Sequence, residues 1–439
     1  MQTLLKILVA LLIIGVVVAF HEFGHFIIAK SRGIAVSEFS IGMGPRLYSF
    51  TKGGTKYSLK LLPIGGSCMM GEDDVAAEDD RTAFNNKNVW ERIAVIFAGP
   101  FFNFILAFVF AIIVIGCVGY DPAYVLSVDE SFGQEIAVGD TITKINNKKI
   151  SISRDIVTYF YFHPIDGNEI TIEYKHPEDD KTFSNHSLTV KPELIEKYML
   201  GFQYSSVPES KPLIDSVIAG YPLEKAGILA GDLITAIDDH EINSGSELSE
   251  YLAKNPLNGK QVKFSYMRNG ESFDTMVTPI STSDYSIGFT YNSGFREKTT
   301  FFRVIRYSFN EVKYWIQATF ASLGQLITGK VSSDEIGGPV RIVSEIGNVV
   351  EESKKDGFGY IVLNLLNWAI LLSANLGVMN LLPIPALDGG RLVFLFIEVF
   401  RGKPIAKEKE GMVHLIGIIL LMILMVFIFF NDIKNVFFR

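Results

Sequence analysis

Four long apolar stretches constrain this 439-residue chain more than any other feature. The first runs from Leu4 to about Ala29, with an unbroken apolar core between Ile7 and Phe20. The second runs from Ile93 to about Gly119, the third from Tyr360 to about Leu382, and the fourth from Met412 to Phe430. Each holds at least 19 positions. At ~1.5 Å per residue that is enough helix to cross a hydrocarbon layer of ~30 Å. Backbone inside a bilayer must satisfy its own hydrogen bonds, so such stretches are read as helices. Lys6 ahead of the first run suggests a signal peptide, yet Phe20-His21-Glu22 follows where a small-x-small cleavage site would stand. The expected fold is a multi-pass α-helical membrane protein with four transmembrane helices and polar domains set between them.

Between the second and third stretches lies an acidic block. Residues 121–296 hold 26 Asp and Glu against 15 Lys and Arg, a balance of −11, while the rest of the chain balances at +3. The overall charge of −8 argues against a general nucleic-acid binder. Two cysteines, Cys68 and Cys117, are too few for a disulfide framework or a four-thiolate metal site. Four spans put both termini on the side of the acidic block and the 31–92 and 383–411 loops on the other. Arg32, Arg46, Lys52, Lys56 and Lys60, with Arg401, Lys403, Lys407 and Lys409, mark the loop side as cytoplasmic. Arg303, Arg306 and Lys313 stand near the membrane on the opposite side.

The acidic block contains a repeat. Gly139-Asp140-Thr-Ile-Thr-Lys-Ile-Asn-Asn-Lys-Lys-Ile150 matches Gly231-Asp232-Leu-Ile-Thr-Ala-Ile-Asp-Asp-His-Glu-Ile242 at 6 of 12 positions, offset by 92. Each copy reads as a turn, a short strand and a second turn. The second copy, preceded by Pro222-Leu-Glu-Lys-Ala226-Gly227-Ile, resembles the PDZ domain; the first lacks the Ala-Gly segment and resembles a divergent PDZ. PDZ domains capture extended peptides at a sheet edge, and the alternative is a pair of β-rich domains that only cover the membrane face. After the repeat, Ile305, Phe309, Val312, Ile316, Phe320 and Leu323 form one face of an amphipathic helix of about 25 residues. It either lies in the headgroup plane or packs under the polar domains.

The chemistry sits at the end of the first span, His21-Glu22-Phe23-Gly24-His25. Two His four apart on a helix are only about 40° out of register, so both imidazoles point the same way. Glu22 is near enough to hold a metal-bound water. Ionisable residues in an apolar helix cost several kcal/mol unless they are paired or face a cavity, which makes the cluster a functional site by default. The remaining histidines, His163, His176, His186, His240 and His414, show no ligand spacing and are expected on surfaces. A catalytic zinc needs a third ligand and an open position. The third span ends Asn375-Leu-Gly-Val-Met-Asn380-Leu-Leu-Pro383-Ile-Pro385-Ala-Leu-Asp388-Gly-Gly, where two prolines break the helix just before a carboxylate. Spans one and three cross in the same direction, so Asp388 and the two imidazoles are expected on the same side at similar depth.

These motifs closely resemble those of the site-2 protease family of intramembrane zinc metalloproteases. HEFGH matches its HExxH, Asn380 to Gly389 its NxxPxPxxDG, and Gly99-Pro100-Phe-Phe-Asn103 its GPxxN. The PDZ insertion resembles the RseP-like branch, and the likeness covers nearly the whole chain. Arg391 departs from that branch, whose members often carry His there.

The resemblance implies that His21, His25 and Asp388 bind Zn2+ and that Glu22 is the general acid and base. It makes Asn380 and Pro383, with Asn375, substrate contacts; an interhelical hydrogen bond is the other reading of Asn380. Residues 56–66, an alternating run ending in Pro and paired Gly, suggest a hairpin, either a plain cytoplasmic one or the family's re-entrant β-loop whose edge receives an unwound substrate.

The domains expected are residues 1–119, the first two spans with HExxH; 120–205 and 206–296, the PDZ-like pair; 297–359, the amphipathic helix and a membrane-proximal segment; and 360–439, the last two spans. The expected function is an endopeptidase of the bacterial inner membrane. It would cut single-span proteins already shortened by another protease, such as anti-sigma factors or signal-peptide remnants, with the PDZ pair excluding bulky substrates. The alternative is a non-catalytic membrane adaptor that captures peptide ends, against which Glu22 argues.

Overall fold

The computed structural model describes residues 2–70, 80–129, 135–178, 182–204, 211–292, 295–329 and 337–437. In chain order, α1 (Gln2–Ser31) leads into β1 (Val36–Lys52) and β2 (Thr55–Met70), and α2 (Val89–Val118) follows. The polar block begins with β3 (Val125–Val128), β4 (Thr141–Ile145), β5 (Lys148–Lys149), α3 (Ser153–Phe162), β6 (Ile170–Pro177), β7 (Phe183–Val190), β8 (Glu193–Met199) and β9 (Phe202–Tyr204). Its second half runs β10 (Ile214–Val217), α4 (Pro222–Lys225), β11 (Leu233–Ile237), β12 (His240–Glu241), α5 (Gly245–Lys254), β13 (Val262–Arg268), β14 (Glu271–Val277), β15 (Ile280–Ser286) and β16 (Phe289–Tyr291). The chain ends in α6 (Phe301–Ile327), α7 (Pro339–Glu352), α8 (Phe358–Leu381), α9 (Asp388–Arg401) and α10 (Lys407–Phe437).

The four apolar stretches become α1, α2, α8 and α10, each long and apolar enough to cross a membrane. Two compact units result: Met1–Ala123, Ile150–Phe162 and Asn292–Arg439 form one, and Tyr124–Lys149 with His163–Tyr291 the other. The boundary differs from the sequence-derived one, because α3 groups with the helical unit. There Arg154 of α3 bonds to Asp121 beyond the end of α2 and to Glu311 of α6.

Within the helical unit the helices approach closely where residues are small. A Cβ on Gly24 of α1 would lie 2.5 Å from the Ala98 carbonyl oxygen of α2, and one on Gly377 of α8 would lie 3.1 Å from that of Pro100. Asn88 caps α2 by accepting the Trp90 N–H, while Glu91 accepts the N–H of Asn88, a capping box that fixes where the span begins. Ala29, Ile34, Val95, Ile96, Leu392 and Leu395 form one buried cluster joining α1, α2 and α9.

Where one amphipathic helix was expected, two are present, α6 and α7. The second is held by a carboxylate from a distance: Asp432 of α10, fully buried, accepts the N–H groups of Gly338, Val340 and Arg341 at 2.9–3.0 Å. Helix N-termini carry unsatisfied donors and a partial positive charge, so this is where such a group is stabilising.

The second unit is a duplication down to its register. Sheets β5-β4-β6-β7 and β12-β11-β13-β14 have the same order. Ile142 stands opposite Tyr174 and Ile234 opposite Tyr266, and both ladders carry the same irregularity next to that pair. Asn146 and Asp238 share φ +49, and their side chains accept the Thr171 and Lys263 N–H groups. Asp140 and Asp232 each accept a backbone N–H three residues earlier, from Ala137 and Leu229. The end strands are exchanged: β16 pairs with β3, β9 with β10, and β8 with β15. The segment that aligns with the Ala-Gly run of the second copy lies partly outside the described residues.

Candidate metal centre

One turn of α1 separates His21 from His25, and both side chains point at α2. Each residue is only 6% exposed. His25 donates from Nδ1 to the Val95 carbonyl oxygen at 2.9 Å, which leaves the Nε2 lone pair facing inward. The amide nitrogen of Asn103 donates to His21 Nδ1 at 3.2 Å, and the Asn103 amide oxygen is buried with no partner among the described residues. A ring that offers Nε2 to a metal carries its proton on Nδ1. Asn103 meets that state by turning its amide so that the oxygen accepts.

The third group arrives by a sharp break. Pro383 and Pro385 cannot continue α8, which ends at Leu381, and the chain doubles back through Ala386, at φ +82, to start α9 at Asp388. A Cβ on Gly389 would lie 2.5 Å from the Leu381 carbonyl oxygen, so the tight return needs glycine there. Asp388 Oδ2 then stands 3.1 Å from His21 Nε2 and 3.3 Å from His25 Nε2, and the two Nε2 atoms are 3.1 Å apart.

Those three separations are the fit test for a metal. Three corners of a tetrahedron around zinc, with ligand distances of about 2.0–2.1 Å, lie about 3.3–3.4 Å apart. Asp388 Oδ2 is buried, and two imidazoles and a carboxylate are the donor set of a catalytic zinc site with one position left open. Space for the rings comes from Gly99 of α2, where a Cβ would lie 2.5 Å from His25 Cε1 and 2.8 Å from His21 Cε1.

The triad opens into a cavity of about 570 Å³. Glu22 lines it beside the histidines, and β2 borders it through Cys68, Met69 and Met70. A Cβ on Gly66 of β2 would lie 3.0 Å from Glu22 Cγ, so the strand runs alongside the acid. Phe39 of β1 pairs with Cys68 on one side and Tyr57 on the other. Within the hairpin, the 66–70 segment thus lies across β1 from the 56–59 segment.

Of the other residues singled out in the sequence, Asn380 lines this cavity and Asn375 does not. The Asn375 amide oxygen accepts from the Thr319 hydroxyl of α6, at a separate groove between α6 and α8. Pro383 is exposed and is absent from the cavity lining; its part is to end α8. Arg391 also faces the cavity, at the position where the sequence departs from the branch it resembles.

Sequence reasoning missed the Val95 carbonyl, which carries no side-chain signal, and quoted Asn103 only as part of a motif. It also placed every other histidine on the surface. His414 is instead largely buried and accepts the Ala386 N–H at 2.9 Å, whereas His176 is half-exposed, with its Nδ1 bonded to the buried Asp140.

The chain matches the family described as Peptidase family M50 over residues 9–424. It is 32% identical over 446 residues to the zinc metalloprotease RasP of Geobacillus kaustophilus (strain HTA426), covering 99% of each chain. It is 30% identical to the regulator of sigma-W protease RasP of Bacillus subtilis (strain 168), covering 97% of this chain and 98% of the relative. The regulator of sigma-E protease RseP of Salmonella typhimurium (strain 14028s / SGSC 2262) is 31% identical, covering 95% of this chain and 96% of the relative. Among solved structures, an HtrA3 PDZ domain bound to a phage-derived ligand is 17% identical, covers 21% of this chain and 93% of its own, and has a TM-score of 0.18.

Proposed function

The chain belongs to peptidase family M50 and is a zinc metalloprotease, and from that premise we propose that it cuts single-span membrane proteins within the bilayer, with His21, His25 and Asp388 holding the ion and Glu22 moving the proton. The observation that supports this best is the convergence of three ligand atoms in a cavity that Glu22 shares, at the end of an apolar span.

When bound, zinc polarises the scissile carbonyl and brings the pKa of water towards ~7. Glu22 takes the proton of the attacking water and delivers it to the leaving nitrogen. Val95 and Asn103 hold the rings in the orientation that presents Nε2. A helical substrate has its carbonyls bonded internally and must unwind before it is cut. The β2 strand, which borders the cavity and runs beside Glu22, meets the unwound stretch in extended form. Asn380 offers an amide to the freed backbone in the same cavity.

The relatives are named as regulators of sigma-W and sigma-E, so a membrane-anchored regulator of a sigma factor, shortened beforehand by another protease, is the substrate class proposed. The duplicated β-rich unit, read as a PDZ pair, filters such substrates by size. The protein sits in the bacterial inner membrane with the basic loops, and the metal centre near them, on the cytoplasmic side.

The test is Glu22→Gln, a change that removes the base and leaves the three ligands. The purified variant is expected to keep about one zinc per chain and to lose cleavage of a single-span substrate, while Asp388→Asn loses the metal. Undiminished turnover by Glu22→Gln would overturn the assignment.

A further inference from the structure

Helix α10 adds nothing to the ligand set and is mostly exposed along its length. Two of its inward residues nevertheless meet the same short piece of chain. His414 Nδ1 accepts the N–H of Ala386 at 2.9 Å. One turn on, Gly417 is buried, and a Cβ there would lie 2.5 Å from both the Cβ and the carbonyl oxygen of Pro385. Pro385 and Ala386 come immediately before Leu387 and Asp388.

Ala386 needs holding. Its φ of +82 lies in the left-handed region that residues other than glycine avoid. Such a conformation persists only where the surroundings over-determine it. Here the surroundings are the imidazole of His414, the Pro385–Gly417 contact and the Phe394 ring of α9, 5.5 Å from the His414 ring. A ring that accepts at Nδ1 carries its proton on Nε2, which lies 3.8 Å from Glu410 Oε1 one turn earlier.

We propose that His414 is a positioning residue for the metal: by holding the Ala386 peptide it fixes the turn that brings Asp388 onto the two imidazoles. The inference rests on the reading of His21, His25 and Asp388 as zinc ligands. His414 touches none of them and acts through two residues of backbone. Outer partners of this kind typically change metal affinity 10–100-fold when removed.

The experiment is zinc competition against a chelator on the full-length protein in detergent, with cobalt absorption as a second readout of ligand geometry. His414→Leu removes the acceptor, and His414→Asn restores one, because its Oδ1 falls near the position of Nδ1. His414→Leu is expected to bind zinc at least tenfold more weakly and to shift the cobalt bands, with His414→Asn within about threefold of the parent. Ala386→Gly relieves the backbone, so His414→Leu is expected to cost less in that background. This pair keeps the idea testable should His414→Leu alone fold poorly. Asp388→Asn separates the two readings, since retained zinc there refutes the ligand set itself. Parental zinc affinity in His414→Leu, with the metal lost in Asp388→Asn, would overturn the positioning role alone.

Discussion

Gly99 of α2 packs against the His25 ring with no room for a single extra carbon, since a Cβ would lie 2.5 Å from Cε1. The α1–α2 crossing is thus as close as the rings of the proposed metal ligands allow. Gly99→Ala has to push the imidazoles aside or part the helices, and ligand geometry tolerates displacements of only about 0.5 Å. The expected outcome is a tenfold or larger loss of zinc affinity and a matching loss of cleavage, with secondary structure by circular dichroism unchanged. Parental metal content in Gly99→Ala would show that the rings have slack that the packing does not suggest.

Helix α9 carries Asp388 at one end and is anchored further along by an ion pair between Glu398 and Arg92 of α2, both largely buried. Breaking a buried pair by removing one partner typically costs about 3–5 kcal/mol, because the other charge is stranded, whereas replacing both by apolar groups is often neutral. Arg92→Met is therefore expected to lower the thermal midpoint clearly, and Arg92→Met with Glu398→Met to recover most of it. Equal midpoints for the single and double variants would mean that the pair contributes packing rather than charge.

The Asp121–Arg154–Glu311 cluster ties α3 to α6 and to the end of α2, with the two carboxylate residues 3% and 2% exposed. Burial works against ionisation of Asp121, but Arg154 outweighs it and holds the carboxyl below the usual range. Arg154→Met leaves two buried carboxylates facing each other. Its expected cost is again about 3–5 kcal/mol. Adding Asp121→Asn and Glu311→Gln is expected to restore much of the midpoint, and no recovery in the triple variant would assign the loss to the contact of Arg154 with the Tyr314 ring.

What could be read from the sequence was what is encoded locally. The spans follow from apolar length, the His21/His25 pair from helical spacing, and the placement of Asp388 from two prolines at a span end. The groups that hold these residues were hidden because their partners are far apart in sequence. His25 relies on a main-chain carbonyl 70 residues away, α7 on Asp432 more than 90 residues away, and Ala386 on His414 from a different span. Asn375 shows the opposite limit. The resemblance implied a substrate contact there; a helix has several faces, and this side chain lies on the one against α6, bonded to Thr319.

The two copies in the second unit differ in what bonds to the same buried aspartate, and the Arg268 copy makes a prediction about acid. Arg268 grips Asp232 through Nε and Nη2 at 2.7 and 2.6 Å, whereas the position 92 residues earlier is His176, bonded to Asp140. The Arg268 guanidinium outweighs the opposing effect of burial and holds the Asp232 carboxyl below its ordinary value. A carboxyl with a depressed folded pKa contributes stability that is complete above the unfolded value near ~4 and is lost as pH falls through the folded value. Asp232→Asn lacks that contribution at every pH. Amide-exchange protection in β11 and β13, corrected for intrinsic rates, is expected to be at least about fivefold lower than the parent's at pH 7. The two proteins are then expected to converge as the pH falls below ~4, when the parent carboxyl takes up its proton. A gap that stays constant to pH 2.5 would mean that the Arg268 contact acts by shape and neutral hydrogen bonding rather than by charge.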